Sequence, residues 1–238
     1  MHSPRTTPTA AVEQPELQRS SPSPDTVEPD DGRAAQAALA EHLIALHFAA
    51  QHEVEDLREV QIPQLDSFLR GLLFTDGTVS RALEAHTLCR VAVEPVEQEP
   101  GPTPARIARH LELASSDQCL RRRVVMRIGG SRLTSVWAES YVVPQRLPPE
   151  FLTRLSGDSQ GIGGSIQQLK LESRRELLWF GLGAPPRWAA EASAATTTLT
   201  RAYRVVTQGL PALLICEAFA VEMGASHYHL RAPASAAD

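Results

Sequence analysis

Residues 210–219 place the tightest constraint on the fold. Read as a strand, the run Leu-Pro-Ala-Leu-Leu-Ile-Cys-Glu-Ala-Phe sends Pro211, Leu213, Ile215, Glu217 and Phe219 to one face. Leu210, Ala212, Leu214, Cys216 and Ala218 go to the other. Both sets are apolar, so the strand belongs inside a sheet covered on both sides. Gln208-Gly209 is a hairpin signal joining it to a strand over Thr198 to Thr207. One group is out of place. Glu217 is a carboxyl on a buried face, and it must be paired or held protonated.

The rest of the chain suits that strand. Cys89, Val91 and Val93 alternate with Arg90, Ala92 and Glu94 in a half-buried strand, and further strands are expected at 119–128, 133–143 and 175–180. Helical periodicity comes earlier. After Arg33 a helix carries Leu39, Leu43, Leu46 and Ala50 on one stripe, widened by Ile44 and Phe48. A second helix starts at Pro63 with Leu65, Phe68, Leu69 and Leu72 on one face, Asp76-Gly77 breaks it, and a third runs from Thr78 to His86. Short helices or turns are expected at 148–155 and 165–169. Helices first and hairpin-linked strands after predict an α+β domain with an antiparallel six-stranded sheet flanked by helices.

Residues 1–33 differ. They hold six of the eighteen prolines and few apolar residues, and their three arginines against six acids account for −3 of the formal −5. Such a segment cannot offset its ordering entropy by burial and is read as disordered. The expected organisation is therefore a tail over 1–33, a folded domain over 34–224 and a flexible C-terminal tail over 225–238. The charge balance gives no reason to expect nucleic acid. The chain has no apolar run long enough for a membrane span and no secretory leader pattern, so a cytoplasmic protein is expected. Cys89, Cys119 and Cys216 are odd in number and widely spaced, which reads as three reduced thiols. His42, His47 and His52 share no helix face for a metal. His227-Tyr228-His229 reads as a solvated loop, and Gly161-Ile162-Gly163-Gly164-Ser165 as a flap or turn without the phosphate-loop pattern.

The strand over 119–128 holds the second misplaced charge. Arg121, Arg123 and Arg127 fall on its polar face and are expected in solvent. Arg122 alone interrupts the face of Leu120, Val124, Met126 and Ile128. A buried guanidinium requires a carboxylate or phosphate partner. Two readings stay open. Arg122 and Glu217 form a buried ion pair with each other, or they line a pocket in which Arg122 holds a ligand carboxylate and Glu217 handles a hydroxyl or a proton.

At these residues the chain resembles the chorismate lyases, also called 4-hydroxybenzoate synthases. The resemblance runs from about Pro63 to Phe219 through LLFTDGTVSRALEA, LRRRVVMRIGG, VWAESYVVPQRLP, GIGGSI, SRRELLWFG and RAYRVVTQGLPALLICEAF. It implies a chorismate-lyase-like fold whose active site is closed by two helix-turn flaps. It also implies cofactor-free and metal-free elimination of pyruvate from chorismate to give 4-hydroxybenzoate. Arg122 then takes the place of the substrate-carboxylate arginine, Glu217 that of the catalytic glutamate, and Thr78 and Ile162 lie near the backbone positions that approach the ligand. Well-known bacterial members have a second arginine where this chain has Ser140, which leaves Arg175 and Arg204 as candidates for the second substrate carboxylate, with an ordinary solvated strand-face charge as the other reading of each. The alternatives are a non-catalytic module for aromatic carboxylates of the GntR-effector-domain type, a degenerate member acting as a scaffold, and a lyase that takes a related chorismate-derived substrate or gives a different hydroxybenzoate isomer. The sequence carries no signal of oligomeric state.

Overall fold

The computed structural model describes residues 29–51, 57–114, 117–129, 134–157, 161–192 and 197–225. Most of the segment read as tail, residue 52, and both the His227-Tyr228-His229 motif and nearly all of the C-terminal tail lie outside these. Six antiparallel strands form one sheet in the order β1-β2-β3-β6-β5-β4. They are β1 (Val91–Pro102), β2 (Gln118–Ile128), β3 (Thr134–Val142), β4 (Arg174–Gly183), β5 (Thr198–Thr207) and β6 (Leu210–Ala220). The doubly apolar run is an interior strand, with β6 paired to β3 on one side and β5 on the other. Gln208 (φ 50°) and Gly209 (φ 81°) are both left-handed, as a two-residue hairpin turn matched to strand twist requires.

The helices are α1 (Pro29–His47), α2 (Ser67–Phe74), α3 (Val79–Thr87), α4 (Ala105–His110), α5 (Pro149–Gly157), α6 (Gly161–Gln168) and α7 (Glu222–Ala225). Several boundaries differ from the sequence reading. Helix α1 opens ahead of Arg33, and its expected stripe is only partly turned inward: Phe48 and Ala50 are buried and Leu43 and Ile44 half-buried, but Leu39 is 58% and Leu46 65% exposed. The chain leaves the helix after His47 because the backbone of Ala49 and Ala50 donates to Leu177 and Leu178, covering the edge of β4. Pro63 sits in a single 3-10 turn, and α2 starts later because Asp66 caps it by accepting from the Phe68 amide at 2.7 Å. Strand β1 runs on through Pro95, Pro100 and Pro102, which an edge strand tolerates. Glycine-rich 161–165 is the first turn of α6, not a free turn.

One face of the sheet packs Val124, Met126, Val136, Leu199, Val205, Leu213 and Phe219 against Leu69, Leu72 and Leu73 of α2, Leu83 of α3, Phe151 and Leu155 of α5 and Ile166 of α6. The other face carries a smaller cluster with α4, including Ile107, Leu111, Tyr141, Trp179 and Leu214. The arginines of β2 expected in solvent are instead ion-paired along that face. Arg121 pairs with Glu97 and Glu99, Arg123 with Glu97 and Glu139, and Arg127 with Glu94. Neighbouring strands set carboxylates opposite them, which sequence periodicity within one strand does not reveal.

Candidate functional site

Strand pairing brings the misplaced charges into two adjacent rows on the face beneath α3 and α6. One row runs Gln98, Arg122, Ser140, Ile215, Tyr203, Leu177 across the sheet, and the next runs Pro95, Val124, Ala138, Glu217, Arg201, Phe180. A cavity lies over the middle of these rows. Arg122, Ser140, Arg175, Tyr203, Ile215 and Glu217 line it from the sheet, Thr78 and Val79 from α3, and Gly161, Ile162 and Gly163 from α6. The first amides of a helix have no intrahelical acceptor, so both first turns bring donors and positive potential to the cavity.

Arg122 is 2% exposed, and burial pulls its guanidinium below the usual arginine range. Its Nε donates to Gln98 Oε1 at 3.0 Å, while Nη2 is buried without a hydrogen-bond partner. It makes no ion pair among the described residues. The reading in which Arg122 and Glu217 neutralise each other is therefore replaced. Glu217 accepts from Arg201 Nε at 2.9 Å through Oε2, and from the Tyr203 hydroxyl at 3.2 Å through Oε1. Burial, and then the neighbouring Glu217, push the Tyr203 phenol well above its ordinary range, so it remains a donor.

Arg201 went unrecognised in the sequence. The clue was present, because Leu199, Arg201, Tyr203 and Val205 share one face of β5 and Arg201 interrupts it just as Arg122 interrupts β2. Arg175 lines the cavity, donates to the Asp76 carbonyl and keeps a buried Nε without a partner. Arg204 does not reach the cavity, which corrects its candidacy. It alternates to the opposite face of β5, where it binds Glu176, the His110 carbonyl at 2.9 Å and Glu112 at 3.2 Å. Ser140 is buried opposite Arg122 and lines the cavity.

The two lids touch. A Cβ built on Gly163 would stand 2.6 Å from Thr78 Cγ2 and 2.8 Å from Thr78 Oγ1, so only glycine lets α6 approach α3 this closely. Gly161 enters α6 at φ +70° against Val93. The three cysteines are free thiols, and burial raises that of Cys216 to about 12. Among the described residues no group of three or more His, Cys, Asp or Glu could hold a metal, and no helix is long and apolar enough to cross a membrane.

The sequence model of the family described as Chorismate pyruvate-lyase Rv2949c-like matches residues 73–226. A chorismate pyruvate-lyase of Mycobacterium tuberculosis (strain H37Rv) is 26% identical over 168 residues, 68% of this chain and 84% of that protein. Its counterpart from Mycobacterium leprae is 26% identical over 166 residues, 68% and 79% of the two chains. Among solved structures, the effector domain of PhnF from Mycobacterium smegmatis aligns with TM-score 0.48 at 14% identity, covering 61% of this chain and 90% of that one.

Proposed function

This chain belongs to the Rv2949c-like chorismate pyruvate-lyase family, and from that premise we propose that it converts chorismate to 4-hydroxybenzoate and pyruvate in the cavity under α3 and α6. The observation that carries the reading is Arg122. A guanidinium sealed from water that has, among the described residues, a free Nη2 and no counter-ion is costly unless a ligand anion completes it. Arg122 and Glu217 stand two strands and one row apart, about 12 Å at the backbone by ordinary sheet spacing. That separation suits a six-membered ring with a carboxylate at one end and a hydroxyl at the other.

In this reading Arg122 takes the ring carboxylate and Glu217 faces the C4 hydroxyl. Arg175, with an unused Nε, joins the first turns at Thr78 and Ile162 to receive the enolpyruvyl carboxylate in place of an arginine at Ser140. The C4 proton is lost and the C3–oxygen ether bond breaks, its electron pair leaving on oxygen. Enolpyruvate then takes up a proton and becomes pyruvate. Aromatisation drives the step, and the protein contributes orientation and fixed charges in a dry site. Glu217, held by Arg201 and Tyr203, is positioned to manage a proton at the hydroxyl or the departing oxygen.

The test is incubation with chorismate under chelator, without nucleotide, with chromatography of the aromatic product and an enzymatic assay of pyruvate. Equimolar 4-hydroxybenzoate and pyruvate are expected. Glu217→Gln is expected to lose on the order of 1,000-fold in kcat while still binding 4-hydroxybenzoate. Binding of aromatic acids without turnover by the wild-type protein would sink the lyase reading and leave a ligand-binding module.

A further inference from the structure

Resting on the lyase reading, we propose that Arg201 is a positioning residue that holds Glu217 and the hinge of the α2–α3 lid as one unit. Its side chain is wholly buried. A guanidinium serving only as counter-ion would face a carboxylate with two nitrogens, the bidentate arrangement its planar fork favours. Arg201 instead gives Glu217 Oε2 only Nε, at 2.9 Å. It turns Nη1 to the main-chain carbonyls of Leu72, Leu73 (3.2 Å) and Thr75 (2.7 Å).

Those carbonyls close α2, and the last carbonyls of a helix have no partner within it. At a wet helix end water would bind them. Here Leu72 and Leu73 are buried and Thr75 half-buried, and a cation set against the negative end of the helix supplies the missing donors. Three residues beyond Thr75 comes Thr78, where α3 begins and the cavity wall starts. The segment that covers the substrate is thus anchored through one planar group to the carboxylate that acts on it. Opening for substrate entry must hinge beyond Thr75, at Asp76-Gly77, because the chain before it is fixed by Arg201, and it must there release the Asp76 carbonyl from Arg175. A correctly aimed Glu217 and a seated lid base then occur together. Lysine cannot replace this arrangement, since its donors radiate from one nitrogen and cannot span Glu217 and the end of α2 at once.

The experiment combines kinetics with amide hydrogen exchange in Arg201→Lys. Expected are a fall in kcat of about 100-fold, with KM and 4-hydroxybenzoate affinity within about threefold of wild type. Exchange at the Thr75 and Gly77 amides should be about tenfold faster. Tyr203→Phe removes the other bond to Glu217 and should leave that exchange unchanged. A folded Arg201→Lys with normal kcat, or with unchanged exchange at both amides, overturns the proposal. Should Arg201→Lys fail to fold, Glu217→Gln takes its place, because coupling is reciprocal. Loosening Arg201 from the residue 217 side must quicken exchange at Thr75 and Gly77, and unchanged exchange there overturns the proposal too. If wild-type protein does not turn over chorismate, the lyase reading fails by itself, and the exchange measurements still decide whether Arg201 couples residue 217 to the hinge.

Discussion

Arg122 is by itself a liability to the fold. Burial disfavours its charge, and among the described residues one nitrogen has no acceptor and the side chain bonds the neutral Gln98 amide. Replacing such a group with an apolar chain of similar length removes a desolvation penalty and no ion pair. Arg122→Met is therefore expected to be as stable as wild type or up to about 2 kcal/mol more stable, while losing measurable binding of 4-hydroxybenzoate. Urea unfolding and calorimetric titration check the two halves. A variant destabilised by several kcal/mol would mean that Arg122 is structural. Arg122 and Glu217 were both legible in the sequence, because each interrupts an apolar alternation. Their partners were not. Pairing across strands depends on register, and register joined Glu217 to Arg201 and left Arg122 beside Ser140.

The elements that matter most are the two short helices that roof the cavity. They meet at glycine against threonine, and a methyl group at Gly163 cannot be accommodated unless Thr78 or α6 shifts. Overpacking of this kind costs about 1–3 kcal/mol, and here it falls on the closed lid rather than on the core. Gly163→Ala is expected to raise KM for chorismate about tenfold or more by opposing closure, with little change in thermal midpoint. Adding Thr78→Ser removes the nearest methyl and should recover part of the loss. Wild-type KM in Gly163→Ala would show that the lids need not meet so closely. The glycine-rich stretch was visible in the sequence, but its role was not, since the contact that demands glycine lies on a helix eighty-five positions earlier.

For the whole molecule, the ion pairs that lace the outer face set the acid limit of stability. Bonds from Arg121 and then Arg123 hold the Glu97 carboxyl below its ordinary range. Burial pushes Glu176 upward, but the bonds from Arg204 and Arg174 outweigh it and lower it overall. A carboxylate depressed on folding contributes stability above its unfolded pKa, about 4.3 for glutamate, and loses it as pH falls through the folded value. The urea midpoint should thus be level from about pH 8 to pH 5 and decline below about pH 4. Equal midpoints at pH 7 and pH 3 would show that these pairs contribute nothing.

By itself the sequence determined the six strands, the interior place of β6, the hairpin before it and the two charges that had no business on apolar faces. All of these follow from periodicity and turn chemistry within a single segment. The tertiary structure decided which strands are neighbours and in what register, and therefore that Arg201 holds Glu217, that Arg204 faces away, and that the arginines of β2 are paired. It also decided where α1 ends, because hydrogen bonds to β4 compete there with the helix's own. Local pattern states which side of an element is buried. What that side meets depends on residues distant in the chain, and only packing brings them together.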